Sequence, residues 1–152
     1  MLAKKSPFIL KNFLLLKQSI EFSPPSENIA VNIPDVFESY SIDIDFVAQD
    51  LKNEIIQLFV KIEVNLSEQK QSGYSIFSEG VGIFEFDKDL QLSDNDKFNF
   101  IYISGLSICI NSLRAIITNV TSYAPFGKYS LPSIDINELL IAKGIIKPKP
   151  TK

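Results

Sequence analysis

Histidine and tryptophan are absent from this chain of 152 residues, and cysteine occurs once, as Cys109. With no imidazole there is no His-based triad and no proton shuttle titrating near neutrality. One thiol can form neither an internal disulfide nor a Cys/His zinc site, and a reducing compartment fits such usage. Arginine is equally scarce, with Arg114 standing alone. Guanidinium is the preferred bidentate reader of phosphate and guanine, and the formal net charge is -3, so nucleic acid is not an expected partner. Long apolar runs are missing too. No uninterrupted stretch reaches the roughly 20 apolar residues that span a bilayer. Lys4-Lys5 followed by Phe8-Ile9-Leu10 and Phe13-Leu14-Leu15-Leu16 has the outline of a signal peptide. Lys11 and Asn12 break its apolar core and no small-residue cleavage site follows, so a strand is the better reading. The expected setting is cytoplasmic, without membrane insertion.

What is present reads as one globular domain. Hydrophobic residues make up 45% and charged residues 22%, enough apolar material for a core at this length. The domain is expected to run over 1–144, with 145–152 a basic, mobile tail ending Lys147-Pro148-Lys149-Pro150-Thr151-Lys152. Residues 8–23 read as a first strand closed by Pro24-Pro25. Ser41 to Phe46 alternates, with Ile42, Ile44 and Phe46 on one face and Ser41, Asp43 and Asp45 on the other. A turn is expected at 49–53. From Ile56 to Leu66 the alternation is strict apart from Phe59, which intrudes on the polar side. Ser67 to Gly73 suits a hairpin loop. Tyr74 to Asp87 forms a fourth strand, with Gly80 and Gly82 marking a bulge or close backbone approach. Residues 90–100 are expected to be an acidic connector. Leu106, Cys109, Ile110, Leu113, Ile116, Ile117, Val120 and Tyr123 then step by three and four along a helix. Pro125 and Gly127 stop it. Asp135 and Glu138 have capping-box spacing for a short helix over 136–143, with Gly144 at its end. The fold class is therefore α+β: a four-stranded antiparallel, Greek-key-like sheet with a long and a short C-terminal helix.

Chemistry-bearing motifs are few. Cys109 lies on the apolar helix stripe, where a free thiol packs as a small hydrophobe. Asp43, Asp45 and Asp50 could share a cation, but hard-cation sites need more oxygens and a constraining loop, so a solvated face is preferred. Asp94-Asn95-Asp96 lacks the glycine and closing acid of a calcium loop. Gly80-Val81-Gly82 is too short for a dinucleotide fingerprint. No catalytic residue, metal site or cofactor is expected, and the chain does not read as an enzyme. Aromatics form the surplus, with twelve Phe and five Tyr. Most suit a core, but Phe59 and Phe77 point away from their strands' main apolar series, and Phe126 and Tyr129 sit in a Pro/Gly connector. A subunit interface or an adaptable groove for apolar polypeptide would account for them.

The order and spacing of several pieces resemble the SecB export-chaperone family over roughly residues 8–141. They include Ile20-Glu21-Phe22 at the end of the first strand, Leu58 to Val64, and Gly82-Ile83-Phe84. Leu113-Arg114-Ala115-Ile116 in the helix and Tyr129 to Leu140 complete the series. The resemblance implies a SecB-like fold assembled as a homotetramer, a dimer of dimers. It also implies ATP-independent holding of unfolded polypeptides beneath an aromatic connector. Phe126, Tyr129 and Leu131 would form the connector side of the client groove, and Phe46, Leu51 and Phe59 its sheet side. Family members that hand clients to SecA use acidic and apolar residues on the outer sheet face. Here Ser19, Ser23 and Phe77 stand at the acidic positions and Ser75 at the apolar one. Glu21, Glu79 and Glu85 remain nearby. The resemblance with these departures implies a divergent chaperone whose clients are preproteins or an antitoxin, with the handover to SecA put in question. The alternative is a dedicated module on the same scaffold that binds one partner.

Overall fold

The computed structural model describes residues 2–26, 31–51, 55–89 and 91–148. Strand β1 covers Phe8–Ser23, helix α1 Ile33–Glu38, β2 Ile42–Leu51, β3 Ile55–Val64 and β4 Gly73–Phe86. Helix α2 spans Asp94–Asn99, a π-helical segment Phe100–Gly105, α3 Leu106–Thr121 and α4 Ile136–Ala142. The strands form one antiparallel sheet in the order β1-β4-β3-β2. β2, β3 and β4 make a meander, and the connection after β1 returns β2 to the far edge, which gives the Greek-key arrangement.

Side-chain alternation fixes which face is covered. Ile56, Leu58, Val60, Ile62 and Val64 are all buried on the inner face, and α3 lays Leu106, Cys109, Ile110, Leu113 and Ile117 against it. Each such side chain contributes about 1.5–3 kcal/mol through removal from water. Aromatic rings close the two ends of this aliphatic core. Phe8 stacks on Phe84 with centroids 4.5 Å apart and touches Phe86 and Phe100 at one end. Phe22, Phe37, Tyr74 and Phe126 meet at the other.

β1 departs from simple alternation. Its register against β4 shifts between Leu10 and Asn12 and again between Leu15 and Lys17. Each bulge changes which side of the sheet the following residues face. Leu14, Leu15 and Leu16 are all exposed in succession, as are Ile9 and Leu10, because neither face of this edge strand is fully covered there.

Four sequence expectations need correction. The stretch 90–100 is not a plain acidic connector: Ser93 caps a helix by accepting the Asp96 N–H at 3.2 Å, while the Asp96 carboxylate accepts the Ser93 N–H. That capping box starts a continuous helix from Asp94 to Thr121, with the acids at its N-terminal, dipole-favoured end. Its length and composition suffice to cross a bilayer, contrary to the sequence count, because the polar interruptions Ser104, Ser107 and Asn111 are uncharged. Its apolar stripe packs on the sheet instead. The expected turn at 49–53 begins too early, since β2 pairs through Leu51 with Ile55; the remainder of that turn lies outside the described residues. Helix α1 was not expected; Pro34 in its first turn, which needs no backbone donor, is the signal that favours it.

Gly82 lies where strand and helix come closest. A Cβ there would stand 2.6 Å from Cys109 Sγ and 2.6 Å from Phe84 Cε2. Gly82→Ala should therefore lower the unfolding free energy by about 1–3 kcal/mol through overpacking, read as a lowered urea midpoint at unchanged m-value.

Candidate functional site

The connector between α3 and α4 is held by side chains that reach its backbone, with no strand pairing. Tyr74 on β4 donates from its hydroxyl to the Gly127 carbonyl at 2.9 Å and accepts the Phe126 N–H at 2.8 Å. Thr121, in the last turn of α3, accepts the Tyr129 N–H at 2.9 Å. Arg114 donates from Nε to the Leu131 carbonyl and from Nη2 to the Pro132 carbonyl, both at 2.9 Å, and also reaches Asn111. The single guanidinium is thus used as a fork that fixes connector backbone.

Beneath the connector lies an aromatic cluster. Phe37 packs against Tyr129 edge-on at 5.1 Å and against Tyr74 at 5.8 Å. Phe126 meets Phe22 at 5.0 Å. Tyr40 accepts the Tyr74 N–H at 2.7 Å and donates to the Ser72 carbonyl. Gly73, with φ of 101°, leaves room for that hydroxyl, since a Cβ there would lie 2.0 Å from it. The nearby hairpin is organised by Asn65, whose side chain donates to the Tyr74 and Gln71 carbonyls and accepts the Gln71 N–H. Burial pushes the Tyr129 phenol up to about 12, and Tyr40 beside it adds to the shift. Among the described residues the Tyr129 hydroxyl finds no hydrogen-bond partner.

The six residues expected to line a client groove fall in three places. Tyr129 and Leu131, 2% and 3% exposed, are sealed under the connector, while Phe126 is half-buried beside them. Phe46, 5% exposed, is on the inner face next to Tyr102. Leu51 and Phe59 lie on the outer face. There Phe59 is flanked by Val47 on β2 and Val81 on β4, with Leu14 beyond, so one apolar row crosses all four strands. Phe77, on the same face, carries Lys17 over its ring at 4.8 Å. A shallow depression of about 210 Å³ at the β2 side is lined by Asp45, Val47, Phe59, Lys61, Glu79 and Lys143.

Sequence reasoning missed Phe37, Tyr40 and Tyr74 as the residues that seat the connector. A bare sequence offers no signal that three rings from α1, the α1–β2 link and β4 converge. It also missed the free edge of β2. Among the described residues no strand pairs on that side. Along it Ile42 and Ile44 are half-buried, Val47 is 55% exposed and Leu51 is 40% exposed.

Among the described residues no cluster of three potential metal-ligating side chains occurs. The Cys109 thiol is pushed up to about 12 by burial, which leaves it a weak nucleophile at neutral pH.

No protein-family model matches the chain, and no curated protein matches it. Among solved structures it is similar to a SecB-like chaperone from Mycobacterium tuberculosis in complex with a peptide from the HigA1 antitoxin. That similarity has a TM-score of 0.56 at 11% identity, covering 85% of this chain and 91% of the other. A protein of unknown function from Streptococcus agalactiae matches at a TM-score of 0.41 and 9% identity, covering 83% of this chain and 97% of that one. The fold is SecB-like.

The orphan Tyr129 hydroxyl and the doubly bonded Tyr74 hydroxyl make a paired test. Tyr129→Phe should be neutral or stabilising, because an unsatisfied polar atom leaves the core. Tyr74→Phe should cost about 1–3 kcal/mol by stranding the Phe126 N–H. Chemical denaturation of both variants reads the difference.

Proposed function

We propose that this protein is a holding chaperone that binds unfolded or extended polypeptide without ATP. The observation that carries the reading is the free β2 edge, which offers unpaired backbone groups with apolar side chains on both faces. An extended client can add as a further strand there and rest its side chains on Ile42, Ile44, Val47 and Leu51. Such binding gains strength from backbone hydrogen bonds and apolar contact, neither of which demands a particular sequence. Phe59 extends the apolar surface outward from that edge and Phe126 adds a half-buried ring at the β1–β4 end, while Phe46, Tyr129 and Leu131 enter only if covering segments move. The fold shared with a SecB-like chaperone supports a peptide-binding role.

The preferred client class is an antitoxin or similar apolar segment. The outer face supports this over SecA docking through its apolar row of Val47, Phe59, Val81 and Leu14, although Glu21, Asp43 and Glu79 also lie on that face. The antitoxin peptide bound by the mycobacterial neighbour favours a second, narrower reading, in which one cognate partner is served. The purified protein should suppress aggregation of several unrelated unfolded proteins at near-stoichiometric ratios without nucleotide. Val47→Ser with Leu51→Ser should weaken client binding about tenfold, in line with losing two exposed apolar contacts, at unchanged far-UV circular dichroism. Suppression confined to one client selects the narrower reading. No suppression of any of them by the folded protein rules out the general holding chaperone.

A homotetramer fits the surfaces left over. Exposed aliphatics along β1 suit edge pairing with a second copy. The long helix carries no charge between Lys97 and Lys128 except Arg114, which is committed to the connector. Four copies would also multiply weak client contacts. Native mass spectrometry should find four times the 17.1 kDa chain mass, and Leu15→Lys with Leu16→Lys should release smaller species.

A further inference from the structure

Charges on the outer face of the sheet follow an order that strand register makes visible. Lys17, Glu79, Lys61 and Asp45 stand side by side across β1, β4, β3 and β2, so their signs alternate from edge to edge. Beside them runs the apolar row of Leu14, Val81, Phe59 and Val47, with Leu14 and Val47 exposed at its two ends. Part of the charged row is explained within one chain, since opposite charges on neighbouring strands attract. Lys61 also pairs with Glu63, Asp45 with Lys143, and Lys17 lies over the Phe77 ring. Taken from its far end, the row reads Asp45, Lys61, Glu79, Lys17. Every position then opposes the opposite sign, so the row is complementary to its own reverse.

We propose that the outer sheet face is a contact for a second copy of this chain, stacked face to face about a two-fold axis running along the strands between β3 and β4. Such an axis keeps each row over its own counterpart and reverses the strand order, so β1 faces β2 of the second copy and β4 faces β3. Lys17 then meets Asp45 of the second copy and Glu79 meets its Lys61. In the row beside them Leu14 meets Val47, and Val81 meets Phe59. Five rows are paired across all four strands, and none of them sets like charges against each other in this arrangement. They cover about 19 by 27 Å, or roughly 1,000 Å² for two copies, which reaches the lower bound for specific association. The contact uses neither the β1 edge nor the long helix and needs no client, so it stands apart from the chaperone reading. Val47 serves both surfaces, so a client resting on the outer side of β2 displaces the second copy.

Lys17→Glu and Asp45→Lys test the contact, each altering an exposed side chain on an edge strand. The two positions lie three strand spacings apart, about 14 Å, so they cannot pair within one chain. In a pair of identical copies either substitution sets like charges together at both ends of the row. Mixing the two variants restores opposite signs at both ends. By fluorescence anisotropy in low salt, Lys17→Glu labelled at its N-terminus should bind unlabelled Asp45→Lys about tenfold more tightly than unlabelled Lys17→Glu, and about threefold more tightly than wild type. The preference should fade at about 1 M salt, where charges are screened within about 3 Å. A chain carrying both substitutions should self-associate as the wild type does. Equal affinity for all three unlabelled partners overturns the stacked pair, as does the absence of any association. A doubly substituted chain that associates no better than either single variant overturns it as well.

Discussion

A four-stranded sheet has two faces and two edges, and this chain supplies one long helix to cover one face. That shortfall governs the rest of the molecule. The helix buries the aliphatic rows of β3 and β4, and its contribution there is large because the packed side chains lose all contact with water. No further element of the described chain packs over the outer row from Leu14 to Val47 or the aliphatics of β1, and only the Lys143 side chain reaches the edge of β2. Apolar side chains outside a core are the material from which partner surfaces are made.

The second constraint is how an irregular connector crosses the aromatic end of the core without stranding its backbone groups. Buried amides and carbonyls need partners, and a segment that pairs with no strand must find them on side chains. Tyr74 supplies them from β4, and Thr121 and Arg114 from α3. These directed bonds fix the connector's geometry, while Tyr129, Leu131 and Leu140 anchor the segment by packing into the core. Among the described residues the Tyr129 hydroxyl has no hydrogen-bond partner.

The structural similarity and the surface chemistry meet at one point. A SecB-like scaffold at 11% identity carries no information about particular side chains. What this chain places on that scaffold is its own: Val47 and Leu51 on an open edge, and an outer face that mixes an apolar row with charged side chains.

Strand existence, the inner-face rows of β3 and the stripe of α3 were legible in the sequence, because periods of two and of three to four residues are imposed by backbone geometry itself. The stop at Gly144, with φ of 71°, was legible for the same local reason. The start of the long helix was misplaced because acids that look like a loop are also what a helix N-terminus favours. Whether Phe126, Tyr129 and Leu131 stand open or closed was not written locally at all. That outcome depends on Phe37, Tyr40 and Tyr74 arriving from distant positions to receive them. The sequence by itself determined which side chains share a face; only the tertiary structure decided which faces are covered, because coverage is a property of elements brought together across the chain.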